Sequence, residues 1–191
     1  MPASMCRSET ARVGATGGSG AARSGLLHVY TGDGKGKTTA ALGLALRARG
    51  AGLRVFVGQF AKGRECSELT ALESLGVTVR QFGRPQFIHG PPAAADLALA
   101  QQGLAEARAV LSSGAYDLVI LDEASVAVQC GLFAVNELLD VLAARATTVE
   151  AVVTGRGAPP KLVECADLVT EMREVKHYYR NGIQARKGIE D

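Results

Sequence analysis

Short continuous apolar runs alternate along this chain with longer stretches in which apolar residues recur every three or four positions. The runs at 26–30 (LLHVY), 53–60 (LRVFVGQF), 77–82 (VTVRQF), 116–122 (YDLVILD), 149–154 (VEAVVT) and 168–173 (LVTEMR) predict strands. In 53–60 the residues Val55, Phe56 and Val57 leave no polar face, as expected of a parallel strand covered on both sides. Helices are predicted over 40–49, with Leu42, Ala45 and Leu46 on one face, and over 66–75. Further helices are expected over 93–112, with Leu97, Leu104 and Leu111 at heptad spacing, over 132–145 and over 159–165. Strands alternating with helices give an α/β class with a mostly parallel central sheet. Residues 1–24 are small, polar and rich in Gly, Ser and Ala without periodicity, and are expected to be a flexible tail. The folded domain is expected to run over 25–191.

The stretch that organises the rest is Thr31-Gly32-Asp33-Gly34-Lys35-Gly36-Lys37-Thr38-Thr39, between the first strand and the first helix. Glycines let backbone N–H groups point inward, and the helix N-terminus adds partial positive charge, so a polyphosphate is the expected occupant. Lys37 is expected on the phosphates, and the Thr38 hydroxyl on Mg²⁺. With this loop in place the fold class sharpens to a three-layer P-loop NTPase-type α/β fold. The loop departs from G-x-x-x-x-G-K-[ST], because the position five before Gly36 is Thr31 and the first glycine, Gly32, comes one residue late.

At 191 residues and 47% hydrophobic content the chain suits one domain with a substantial core. A net charge of +2 and 5% aromatic residues, with no Trp, argue against a nucleic-acid partner. No run of about 18 apolar residues is present, so no membrane helix is expected. Cys6, Cys66, Cys130 and Cys165 form no C-x-x-C pair, which fits thiols in a reducing cytoplasm rather than a zinc site.

Other residues gather around the loop by their place at strand ends, where open α/β sheets bind ligands. The fourth strand ends in Asp122 and Glu123, which suits a hard cation that wants oxygen ligands; a solvated acid pair is the plain alternative. Gln59 and Lys62 line the same crevice or stand in a solvated loop. The fifth strand delivers Arg156, whose guanidinium suits bidentate contact with phosphate oxygens. Residues 83–92 (GRPQFIHGPP) form a Gly/Pro-rich loop in which Phe87 either packs inward or touches an apolar ligand. His28 and His177 are read as packed and surface histidines respectively.

Taken in order, these motifs resemble one family, the P-loop-type ATP:corrinoid adenosyltransferases that act on cob(I)yrinic acid a,c-diamide or cob(I)alamin. The resemblance rests on YTGDGKGKTTAALGLALRA (30–48), VGQFAKG (57–63), VILDE (119–123), TGRGAP (154–159), ADLVTEM (166–172), Lys176 with His177, and GIQARKGIE (182–190). The shortened loop is itself a feature of that family. The resemblance implies transfer of the 5′-deoxyadenosyl group of ATP to the Co(I) of a reduced corrinoid, with release of triphosphate, in adenosylcobalamin synthesis or salvage. It assigns ATP to Gly32, Asp33, Gly34, Lys35, Gly36, Lys37, Thr38, Thr39 and Arg156, with Lys37, Thr38 and Glu123 as catalytic groups. Mg²⁺ falls to Thr38, Asp122 and Glu123. It places Phe87, and His89 where relatives usually have Trp, against the corrinoid. It also implies a cytoplasmic homodimer and an electron donor that reduces cobalt. The rival readings are an ordinary P-loop ATPase or small-molecule kinase that cleaves at the γ-phosphate, and a non-catalytic nucleotide or corrinoid carrier.

Overall fold

A computed structural model of the chain describes residues 24–64, 66–86, 88 and 90–190. Six strands are described: β1 (Leu27–Thr31), β2 (Val55–Phe60), β3 (Thr78–Phe82), β4 (Leu118–Asp122), β5 (Glu150–Thr154) and β6 (Leu168–Glu171). They form one sheet in the order β3-β2-β4-β5-β1-β6, and every pairing is parallel. The helices are α1 (Lys37–Gly50), α2 (Ser67–Ser74), α3 (Ala94–Ser113), α4 (Ala124–Gln129), α5 (Val135–Ala143) and α6 (Pro160–Cys165), with a 3₁₀ turn at Tyr178–Asn181. Of the expected N-terminal tail, only Ser24 falls within the described residues.

Successive side chains of a strand point to opposite faces, and here both faces are apolar. Val55, Val57, Ile120 and Val152 face α1 and α2, while Phe56, Phe60, Val119, Leu121 and Val153 face α3 to α6. The result is the expected three-layer α/β fold. Among the described strands, β6 at one edge of the sheet is exposed at every position, while β3 at the other edge is partly buried.

Two expected helix faces are corrected. In α1 the buried face is Lys37, Ala41, Ala45 and Ala48, while Leu46 is 55% exposed and Leu42 only half-buried. Alanines at this spacing let the helix axis lie close to the sheet, and the leucines fall around its flank. In α3, Leu104 and Leu111 are buried but Leu97 is 37% exposed. Seven residues fall about 20° short of two helical turns, so a heptad row drifts, and the buried stripe is Ala100, Gly103, Leu104, Ala107 and Leu111. The helix expected over 132–145 is shorter, and the unexpected α4 precedes it. Its sequence ASVAVQ continues the β-branched character of β4 and hides the switch of period.

α3 lies against two rings. A Cβ at Gly103 would sit 2.6 Å from Phe82 Cγ and 2.8 Å from Phe60 Cε1. Gly103→Ala gains about 1 kcal/mol of helix propensity. Overpacking costs about 1–3 kcal/mol and outweighs it. The variant is expected to lower the urea midpoint, with a loss of up to about 2 kcal/mol.

Candidate active site

The loop after β1 is built from glycine. Gly32 and Gly36 have φ of 95° and 122°, and a Cβ on Gly32 would lie 2.4 Å from the Met172 carbonyl oxygen. That close approach is used: the Met172 N–H donates to Thr31 O at 2.8 Å, and the Gly34 N–H donates to Met172 O at 2.7 Å. The Ala158 N–H donates to Thr31 Oγ1 at 3.0 Å on the other side. The shortened loop is therefore braced by the exits of β5 and β6.

α1 begins at Lys37, which folds back over this loop. Its ammonium donates to Gly32 O at 2.6 Å and Gly34 O at 2.8 Å. Burial lowers its pKa below the ordinary lysine value, Arg156 adds to this, and Glu123 and Asp33 oppose it. Lys35 behaves differently: its ammonium is bonded to Tyr178, Ile189 and Glu190 of the C-terminal segment.

Behind the loop stands Asp122, fully buried at the end of β4. Its Oδ1 accepts from Thr38 Oγ1 at 2.8 Å and from Thr154 Oγ1 at 2.7 Å. Its Oδ2 accepts from Gln59 Nε2 at 3.2 Å and from Lys62 Nζ at 3.1 Å. Gln59 is held in turn by Gln81 at 3.0 Å. Burial works against the Lys62 charge, but attraction and hydrogen bonding to Asp122, with help from Glu123 and Glu68, hold its pKa above the ordinary lysine value. Sheet order explains the gathering. β5 lies between β1 and β4, so Thr154 bridges the phosphate loop side to the acid side, and its oxygen also accepts the Glu123 N–H at 3.0 Å.

Glu123 opens α4 from the left-handed region, with φ of 58°. Burial raises its carboxyl above the usual glutamate range, as does Asp122; Lys62, Lys37 and Arg156 pull the other way. Its carboxylate makes no hydrogen bond among the described residues and borders the cleft, as does Thr38. An all-oxygen set of this kind fits a hard divalent cation shared with phosphate oxygens.

These groups frame a cleft of about 820 Å³. Residues 33–39, Glu123 and Arg156 all border it, so most of the expected nucleotide-binding set converges there. Gly32 and Asp122 lie behind its wall. Lys62, of the two crevice candidates, reaches the cleft; Gln59 is fully buried and supports Asp122. His177 borders the cleft with its Nδ1 accepting from the Tyr179 N–H. His28 lies elsewhere, 2.7 Å from Glu150, and is half-buried. Phe87 and His89 lie outside the described residues. The flanks of their loop are tied by Arg84, which makes a bidentate pair with Asp96 at 2.6 and 2.7 Å, while Asp96 also accepts the Ala93 N–H at the start of α3. That pairing holds the Asp96 carboxyl below its usual range. The C-terminal residues Gly188 to Glu190 form a wall of the cleft that residue-by-residue reading of the tail did not anticipate. Their only signal was the motif GIQARKGIE.

The fold and the cleft define a P-loop nucleotide-binding α/β protein. Residues 23–190 match the family model of the ATP:corrinoid adenosyltransferases BtuR/CobO/CobP. A corrinoid adenosyltransferase of Pseudomonas aeruginosa is 37% identical over 169 residues, spanning 87% of this chain and 83% of that protein. One of Escherichia coli K12 is 35% identical over 167 residues, with 87% and 85% covered. The corrinoid adenosyltransferase CobA of Salmonella typhimurium matches equally, at 35% over 167 residues with 87% and 85% covered. The chain belongs to the ATP:corrinoid adenosyltransferase family.

Glu123 gives a test of site against stability. A carboxyl whose pKa is raised on folding holds its proton more tightly in the native state. Stability therefore falls as pH rises from the ordinary glutamate pKa of about 4.3 through the raised value, and stays lowered above it. Glu123→Gln is expected to raise the urea midpoint of the nucleotide-free protein at neutral pH, with the gain shrinking near about pH 4. If Glu123 belongs to the nucleotide site, the same variant is expected to reduce the rise in thermal midpoint measured on adding ATP with Mg²⁺.

Proposed function

We propose that the cleft binds ATP with its triphosphate chain in the loop 32–39, so that the adenosyl group is transferred to the Co(I) centre of a reduced corrinoid and triphosphate is the leaving group. The single observation that carries this reading is the loop itself, with glycine-lined backbone, buried Lys37 and helix N-terminus converging on one cleft in a chain of this family. Cobalt supplies the electron pair, a cobalt–carbon bond forms at the ribose 5′ carbon, and the carbon–oxygen bond breaks with its electrons leaving on triphosphate. Such a reaction needs no protein base or nucleophile. What the protein contributes is orientation and stabilisation of the charge that gathers on the departing oxygen.

Lys37 is the main charge on the leaving group and Arg156 a second contact at the rim. Thr38 and Glu123 are the residues that would hold Mg²⁺, with Asp122 behind them fixing the Thr38 hydroxyl; when bound, the ion neutralises phosphate oxygens. Phe87 and His89 are assigned to the corrinoid on the resemblance of their loop. The same reading takes the enzyme to be a cytoplasmic homodimer that depends on a separate electron donor to bring cobalt to Co(I). Among the described residues no helix is long and apolar enough to cross a membrane.

Anaerobic turnover of ATP with a reduced corrinoid tests the proposal. The expected products are an adenosylated corrinoid and triphosphate; release of ADP in its place would establish γ-phosphate cleavage and overturn it. Lys37→Ala is expected to lower turnover by about 10²–10³-fold or more, the scale for loss of one preorganised charge-stabilising group, with circular dichroism unchanged. Phe87→Ala is expected to reduce turnover with cobalamin while calorimetric binding of tripolyphosphate is retained. Unchanged turnover would remove Phe87 from the corrinoid site.

A further inference from the structure

Lys35 stands in the middle of the phosphate loop, yet its ammonium is taken up by the C-terminal segment. It donates to Ile189 O at 2.8 Å, to Glu190 Oε1 at 2.8 Å and to Tyr178 Oη at 3.1 Å. Glu190 is the centre of this cluster. Its carboxylate also takes the Arg186 guanidinium at 3.1 and 3.3 Å, the Arg186 N–H at 2.8 Å and the Tyr178 hydroxyl. Arg186, then Lys35 and Tyr178, hold its carboxyl well below the usual range, so it is ionised at neutral pH.

The rest of the segment has little to hold it. Residues 181–189 are exposed throughout, including Ile183 and Ile189 at 44% and 56%. Polar contacts at Glu190, rather than apolar burial, keep this segment against the loop. Yet Gly188, Ile189 and Glu190 border the same cleft as Lys37 and Arg156. A carboxylate thus sits at the edge of a site built for a polyanion, and it occupies one of that site's cations.

We infer that Glu190 competes with the triphosphate chain for Lys35, so that the C-terminal segment weakens the hold on the leaving group and favours its departure. This rests on the reading of triphosphate as the product held by the loop. A triphosphate in the cleft draws Lys35 toward itself, and the ammonium must leave Glu190 to answer. After transfer, recapture of Lys35 by Glu190 offsets part of the cost of releasing the product. Glu190 is in this sense a positioning residue, acting on the site through Lys35. A purely structural Glu190 would have the opposite sign, because loosening a wall of the cleft weakens binding.

The test is calorimetric titration of the full chain with sodium tripolyphosphate. Glu190→Gln is expected to bind it about two- to fivefold more tightly than the parent, the scale set by one exposed ion pair. Lys35→Met is expected to bind it more weakly than the parent, and adding Glu190→Gln to Lys35→Met is expected to change nothing further. Equal or weaker binding by Glu190→Gln overturns the inference. Tightening that persists in the Lys35→Met background overturns it too, since the carboxylate would then act only as a nearby negative charge. If the parent protein takes up no tripolyphosphate, the reading of the loop as the grip on the leaving group fails, and this inference falls with it.

Discussion

Asp122 is the constraint on which the site depends. A carboxylate removed from water is tolerated only when its charge is paired and its lone pairs are met. Here two hydroxyls, an amide and an ammonium meet them, drawn from α1, β5, β2 and the loop after β2. Three segments distant in sequence, around Thr38, residues 59–62 and Thr154, are thereby fixed to one point at the carboxyl end of the sheet. Thr38 cannot turn from the cleft without breaking its bond to Asp122, and Lys62 cannot leave without stranding a buried charge. Because both Asp122 oxygens are already engaged, it is Glu123, of this pair, that borders the cleft.

That neighbour shows the tension such a site carries. Glu123 has its backbone in the left-handed region and its carboxyl driven above the usual range, while Lys37 across the cleft has its pKa driven down. Each charge is disfavoured by burial in the nucleotide-free protein. Both departures would be relieved by one kind of occupant, an anionic phosphate chain with a divalent cation, since an anion would favour charged Lys37 and a cation charged Glu123. Lys37 meanwhile spends its hydrogen bonds on two carbonyls of its own loop, which keeps the buried ammonium satisfied and the loop closed.

Much of this was legible in the chain, and the limits are physical. The inner strands were readable because a strand buried on both faces leaves a mostly apolar run such as VFVGQF, and the edge strands β3 and β6 were readable from shorter runs, VTVRQF and LVTEMR. The loop, Asp122, Glu123 and Arg156 were readable because strand ends in a parallel sheet share one edge. What periodicity could not give was which helix face is inward. Apolar periodicity favours Leu42, Ala45 and Leu46, but close helix–sheet contact keeps Ala45 and adds Ala41 and Ala48 in place of the leucines. α4 was hidden by its β-branched residues. Lys35 was read as a phosphate contact, and nothing local to its sequence told of a partner more than a hundred and fifty residues further on.

The short loop ties these features of the molecule together. Removing one residue from a phosphate loop draws its backbone toward whatever lies beneath, and beneath it is the exit of β6, where Met172 both donates to Thr31 and accepts from Gly34. β6 is the most exposed strand of the sheet and adds little to the core. Its value lies in its position. It pairs with β1 up to Thr31 and Glu171, then carries the chain under the loop and on toward the segment that ends at Glu190. The edge strand, the missing residue and the C-terminal segment therefore form one device, which holds the phosphate cradle from below while setting an anionic side chain at its rim.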